Sequence, residues 1–273
     1  MMNADAPPLP VYARQFTASG AAYVERGAGE PLVLIHGVGM RLEAWWPQIE
    51  SLSSTHRVIA VDMPGHGKSA PLSENSQLPD FVGWLGDFMD DMQLGPVNLA
   101  GHSMGALIAG GAAVSFGNRI RRVALLNGVY RRDAQARAAV LARAASIASQ
   151  GIDIEGPLQR WFGDDAVSLA ARALTEHCLR QMDVNAYRTA YTAFANGDAT
   201  YADGLPRVSC PALFLTGSGD PNSTALMAED MAALAIHGWA QVIEGHRHMV
   251  NLTAPKQVHD IMTAWLALPE VQS

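Results

Sequence analysis

The sequence predicts an α/β fold: a doubly wound, mostly parallel sheet with an inserted set of helices. Three observations predict it. Short, nearly all-apolar runs recur along the chain, as expected of strands covered on both faces. Helix-length segments alternate with them. Between about residues 130 and 201 the alternation stops, while helical periodicity continues.

Taken in order, residues 11–16 and 21–24 alternate polar and apolar and predict an antiparallel edge hairpin. Pro31-Leu32-Val33-Leu34-Ile35 predicts the first buried strand and 43–52 a helix. Arg57-Val58-Ile59-Ala60-Val61 follows, then a helix over 81–94, a strand over 97–100 and a helix over 104–116. After the strand at 123–126, helices are predicted over 134–149, 157–162, 166–182 and 185–195, punctuated by Gly151, Gly156, Gly163 and Asn196-Gly197-Asp198. Strands at 212–215 and 241–243 and helices at 224–234 and 255–266 complete the pattern. The expected organisation is a core of residues 1–129 and 206–273 carrying a helical cap of residues 130–205.

The 273 residues are 49 % hydrophobic and 16 % charged, with a net charge of −7. That balance offers nothing to a phosphate backbone, so no nucleic-acid partner is expected. Arg121-Arg122 and Arg131-Arg132 sit beside apolar residues and read as strand and helix flanks. The first eight residues lack a basic and an apolar region, so no signal peptide is read there. No window approaches the roughly 18 apolar residues of a membrane span. Cys178 and Cys210 are far apart without metal-like spacing. Two reduced thiols in a cytoplasmic protein are expected. The oligomeric state is left open.

The chemistry centres on Gly101-His102-Ser103-Met104-Gly105, between an apolar strand and a small-residue helix. This strand–turn–helix is a nucleophile elbow. Its glycines allow strand and helix to cross closely, and its strain holds the Ser103 hydroxyl clear of the sheet. In open α/β sheets the functional groups gather at the carboxyl ends of the strands. Strand 31–35 runs into His36-Gly37-Val38-Gly39-Met40, whose Val38 N–H, with that of Met104, would make an oxyanion hole. Strand 212–215 ends in Thr216-Gly217-Ser218-Gly219-Asp220-Pro221. Asp220 either complements a helix dipole or orients a histidine. Strand 241–243 leads to two candidate bases, His246 and His248. The strand at 123–126 ends in Asn127 rather than an acid.

These residues resemble the α/β-hydrolase superfamily, and the resemblance covers nearly the whole chain. His36-Gly37 is similar to its oxyanion motif, and Asp62-Met63-Pro64-Gly65-His66-Gly67-Lys68-Ser69 to its D-x-x-G-x-G-x-S turn. The elbow, the acid turn and the order Ser, Asp, His also match. His248 matches the family histidine about seven residues before a proline, here Pro255, and is preferred to His246. Ala106 stands where a glycine is common. Arg160-Trp161-Phe162 and the stretch from Gly39 to Trp45 are similar to the 3-oxoadipate enol-lactonase group. The resemblance implies an α/β-hydrolase fold and a Ser103–His248–Asp220 triad with no metal or organic cofactor.

The implied substrate is a small ester or lactone, cleaved through an acyl-enzyme. The alternative is the carbon–carbon bond of a vinylogous diketone, and a non-catalytic ligand-binding member of the fold is a third reading. Trp161, Phe162, Tyr187, Tyr191 and Phe194 are candidate lid residues, and His36 and Gly37 candidate substrate contacts. Arg160 or Arg188 is a candidate partner for a substrate carboxylate; the sequence does not choose between them.

Overall fold

The structure is a computed structural model that describes residues 11–270. The first eight residues, read as lacking a signal peptide, lie outside the described residues. Eight strands form one sheet in the order β1-β2-β4-β3-β5-β6-β7-β8. They are β1 (Gln15–Phe16), β2 (Ala22–Arg26), β3 (Pro31–Ile35), β4 (Arg57–Val61), β5 (Val97–His102), β6 (Ile120–Leu126), β7 (Ala212–Gly217) and β8 (Gly238–Ile243). β1 and β2 pair antiparallel at one edge, as the alternating pattern predicted, and β2 also runs antiparallel to β4. Every pairing from β4 to β8 is parallel.

The side-chain period of two divides each buried strand between two cores. Val33, Ile35, Ile59, Val61, Leu99, Leu125 and Phe214 face α2 (Leu78–Asp91) and α3 (Met104–Phe116). Leu32, Leu34, Val58, Ala60, Leu126, Leu213 and Leu215 face the other way. There they meet Ile49 of α1 (Trp46–Leu52) and Val258, Met262 and Trp265 of α10 (Pro255–Leu266). This burial on both faces is why the strand sequences read as continuous apolar runs. α3 is buried all round from Met104 to Ala113. Its small residues permit this: a Cβ on Gly111 would stand 2.6 Å from Val82 and 2.7 Å from Tyr201.

Four α-helices and a 3₁₀ helix (Ala202–Arg207) separate β6 from β7; the α-helices are α4 (Ala134–Gln150), α5 (Glu155–Trp161), α6 (Ala166–Arg180) and α7 (Val184–Gly197). Asp133, Asp165 and Asp183 cap three of them by accepting backbone N–H groups of the first turn. α4 meets α7 through Val140, Ala144 and Ala195. α5 and α6 pack with Met249 and Leu252 of the core through Leu158, Phe162, Leu174 and Cys178. α8 (Ala225–Leu234) and the short α9 (Val250–Thr253) complete the α-helices of the described residues. No described helix is long and apolar enough to cross a membrane.

Candidate active site

The carboxyl ends of β3, β5, β6, β7 and β8 open on one edge of the sheet, and each delivers one part of the site. β5 leads into Ser103, at φ 55° and ψ −113°. A β-carbon in this region costs on the order of 1–3 kcal/mol and persists only where the surroundings impose it. They do so here. A Cβ on Gly101 would lie 1.9 Å from the Gly105 carbonyl oxygen, and one on Gly105 would lie 2.2 Å from that of Ile35. Strand, helix and neighbouring strand are thus in backbone contact around the serine.

β7 ends in the turn that carries Asp220, a fully sequestered side chain. Its Oδ2 accepts from His248 Nδ1 at 2.7 Å and from Asn127 Nδ2 at 2.8 Å, and its Oδ1 from the Asn222 backbone N–H at 2.8 Å. Burial alone would raise this carboxyl, but His248 and these hydrogen bonds hold it below the ordinary carboxylate range. With Nδ1 donating to Asp220, the neutral imidazole of His248 carries a free lone pair on Nε2. Ser103 and His248 line the same cavity. His246 is elsewhere, its Nδ1 2.9 Å from the Thr253 hydroxyl.

The turn after β3 passes directly over Ser103: a Cβ on Gly37 would be 3.0 Å from the Ser103 Cβ. Two buried histidines hold this turn. His36 Nε2 accepts from the Met63 N–H at 2.9 Å, and His66 Nε2 accepts from the Gly39 N–H at 3.0 Å. Burial keeps both neutral; it pushes His36 well below its ordinary value and His66 down to about 4. Val38 lines the cavity, and Met104 opens α3, where a first-turn N–H has no partner within the helix. His102 packs its ring edge-on against His248 at 5.1 Å and bonds the His248 carbonyl through Nε2 at 2.8 Å. Burial, with His248 close by, pushes His102 down to about 3.

The inserted helices roof the site. Trp161 lies 4.9 Å from the His248 ring, and Tyr187 stacks on Tyr191 at 5.6 Å. These three and Phe194 line the cavity. Three expected contacts do not line this cavity. Phe162 is buried with Leu158, Leu174 and Cys178, in the cluster that Trp161 borders, and does not line the cavity. His36 is fully buried and spends both ring nitrogens on backbone, so it supports the turn rather than facing the cavity. Gly37 is hemmed in by Ser103 and His102 and does not line it.

Arg160 lines the cavity, whereas Arg188 pairs with Glu74 at 3.3 Å. Sequence reasoning missed four participants. Arg132, read as a helix flank, is buried and lines the cavity together with Arg143 and Asn222. Asn127, noted only as a position without an acid, binds Asp220. No signal local to any of them marks these roles, which follow from strand register and helix packing. Among the described residues, no three His, Cys, Asp or Glu are grouped to hold a metal ion.

A model of the alpha/beta hydrolase family matches residues 32–261. The chain is 54% identical over 246 residues to (E)-2-((N-methylformamido)methylene)succinate hydrolase of Acinetobacter baylyi, covering 90% of this chain and 94% of that protein. It is 25% identical over 242 residues to 3-oxoadipate enol-lactonase 1 of the same organism, covering 86% and 88% respectively. The solved enol-lactonase from Burkholderia xenovorans LB400 superposes with a TM-score of 0.82 at 24% identity, over 94% of this chain and 100% of that one. At that identity the likeness speaks for the fold.

Proposed function

The chain belongs to the alpha/beta hydrolase family, and on that premise we propose that it is a serine hydrolase of small unsaturated dicarboxylates. The bond cleaved joins an acyl carbon to a leaving group conjugated with a carboxylate-bearing double bond. An ester or lactone was the first expectation, with the carbon–carbon bond of a vinylogous diketone as its alternative. The compound in the name of the 54% identical relative is neither ester nor lactone, and this favours the alternative. In both that compound and a vinylogous diketone, the departing electron pair spreads over a conjugated system. The departing atom is nitrogen in the first and carbon in the second.

In this reading His248 Nε2 takes the proton of Ser103 as Oγ attacks the acyl carbon. The Val38 and Met104 N–H groups hold the tetrahedral oxyanion, each worth on the order of 3 kcal/mol in comparable sites. The intermediate collapses, the bond to the leaving group breaks, and His248 returns the proton to it. Water, deprotonated by His248, then releases the acyl group as an acid and restores Ser103. Asp220 keeps the imidazole in the tautomer this needs. The helices of 130–205 would act as the cap that selects the substrate. The observation that carries the reading is the Asp220–His248 pair, 2.7 Å apart and sequestered, with the imidazole facing the same cavity as the strained Ser103.

The test presents three substrates to the purified protein: (E)-2-((N-methylformamido)methylene)succinate, an enol-lactone, and a dienoate of the vinylogous diketone type. The first is expected to give the highest kcat/KM. Preference for the lactone would return the assignment to ester chemistry, and turnover of none would overturn it.

A further inference from the structure

The cavity above Ser103 is lined by three guanidinium groups and by no Asp or Glu, in a chain whose net charge is −7. We propose that Arg143 and Arg160, backed by the deeper Arg132, form a carboxylate-recognition subsite at the neck of an access channel, and that this subsite selects dianionic substrates. The inference rests on reading the cavity as the substrate site. It does not depend on which bond is cleaved.

The three arginines differ in how far they are already satisfied. Arg132 is fixed from within: it lies 3.4 Å from Asp198, and its guanidinium sits 4.5 Å over the ring of Phe194. Asp198 Oδ2 also takes Arg137 at 3.1 Å and accepts the Arg132 backbone N–H at 2.7 Å, while its Oδ1 is buried without a hydrogen-bond partner. Nη2 of Arg132 is buried and has no partner. Arg160 and Arg143 make no ion pair with any described carboxylate. Arg160 Nε is buried and unpartnered, and Arg143 Nε donates only to the Tyr191 hydroxyl at 3.1 Å. The indole N–H of Trp161, beside His248, is a further buried donor without an acceptor.

Unpaired buried donors cost stability, and a binding site is where such a cost is recovered when the ligand arrives. Arg132 Nη2, Arg160 Nε and Trp161 Nε1 all belong to residues lining the cavity of Ser103. The ligand chemistry that satisfies them is an acceptor-only group with two oxygens, which is a carboxylate. A neutral amide of the same shape brings N–H donors into a lining that is short of acceptors. A second cavity of about 190 Å³ shares Arg143, Pro157, Arg160, Tyr187 and Tyr191 with the first and is also lined by Asp153, whose carboxylate accepts the Gly156 N–H and pairs with neither arginine. The shared residues therefore stand where the two cavities meet. Arg132 lines the cavity of Ser103 but not the second one.

Titration calorimetry with succinate and with neutral succinamide, at low and high salt, tests the proposal. Succinate is expected to bind at least about tenfold more tightly than succinamide and to weaken as salt rises. Arg160→Gln and Arg143→Gln are each expected to weaken succinate by about tenfold or more while melting near the wild type, with Arg160→Lys recovering part of the affinity. Arg132→Gln is avoided because that side chain is buried against Asp198 and Phe194, so its loss would disturb packing as well as charge. Failure of wild-type protein to bind succinate, equal binding of succinate and succinamide, or wild-type succinate affinity in both glutamine variants would overturn the proposal. Arginine-dependent succinate binding without turnover of the conjugated dicarboxylate would leave the subsite standing and overturn the reaction. Turnover with a KM untouched by both glutamine variants would do the reverse.

Discussion

Replacing Asp220 with asparagine removes one charge and one acceptor from a position surrounded by donors. Three N–H groups meet this carboxylate: His248 Nδ1 at 2.7 Å, Asn127 Nδ2 at 2.8 Å and the Asn222 backbone at 2.8 Å. An amide of the same shape offers a single oxygen. If that oxygen stays on the Asn222 N–H, the new NH₂ faces His248 and Asn127. The imidazole then accepts at Nδ1 and carries its proton on Nε2, where it cannot take the proton of Ser103. If the amide flips, two donors confront each other at Asn222, at a cost of about 1–3 kcal/mol. The charge that stabilises the imidazolium is lost in either arrangement. The expected fall in kcat is on the order of 10³- to 10⁴-fold, or about 4–5.5 kcal/mol of barrier. KM should move only a few-fold, because Asp220 lies behind His248 and does not line the cavity. Steady-state kinetics on the best substrate, with a melting curve to certify folding, measures both quantities. A loss of less than about tenfold in folded protein would refute Asp220 as the acid that orients His248.

Three further outcomes are expected. His248→Ala should lower kcat by about 10³-fold or more, whereas His246→Ala, which loses a contact to Thr253, should change it less than about tenfold; kinetics of the two on one substrate near neutral pH decides. Gly101→Ala should cost more than about 4 kcal/mol or prevent soluble expression, since its Cβ would fall 1.9 Å from a backbone oxygen; denaturant unfolding checks this. Stability should fall on acidification: His36, His66 and His102 are held below their free value of about 6.5 by burial, so the unfolded chain binds more protons. Their contribution is full above about pH 6.5 and is lost towards pH 4, at up to about 1.4 kcal/mol per pH unit for each. Asp62, raised by burial, works against this at the acid end, and equal denaturant midpoints at pH 7 and pH 5 would contradict the prediction.

What the sequence made legible was whatever depends on neighbours along the chain. β3, β4 and β5 are buried on both faces, so their composition alone identifies them. β8 is an edge strand, largely half-exposed, and its first half at Gly238-Trp239-Ala240 does not read as a strand. The strained Ser103 is marked by glycines whose backbone contacts the structure displays, and of the two histidines it is His248 that pairs with Asp220. What escaped depends on distant parts of the chain. Trp161 and Phe162 are adjacent at the end of α5 and touch the same hydrophobic cluster, yet only Trp161 also reaches His248 and the cavity. Asn127 reaches Asp220 because β6 pairs with β7 in the register Leu126 to Leu215. Arg132 looks like a surface flank beside Arg131, but Asp198 at the end of α7 draws it inward.

The most direct test of the account is the rate at which wild-type protein and Ser103→Ala hydrolyse (E)-2-((N-methylformamido)methylene)succinate. Removing one hydroxyl from a turn already held in place should change stability by no more than about 1 kcal/mol, so both proteins can be compared folded. The account predicts steady turnover by the wild type and none above background by the variant. Hydrolysis by Ser103→Ala at more than a few per cent of the wild-type rate would contradict the central claim.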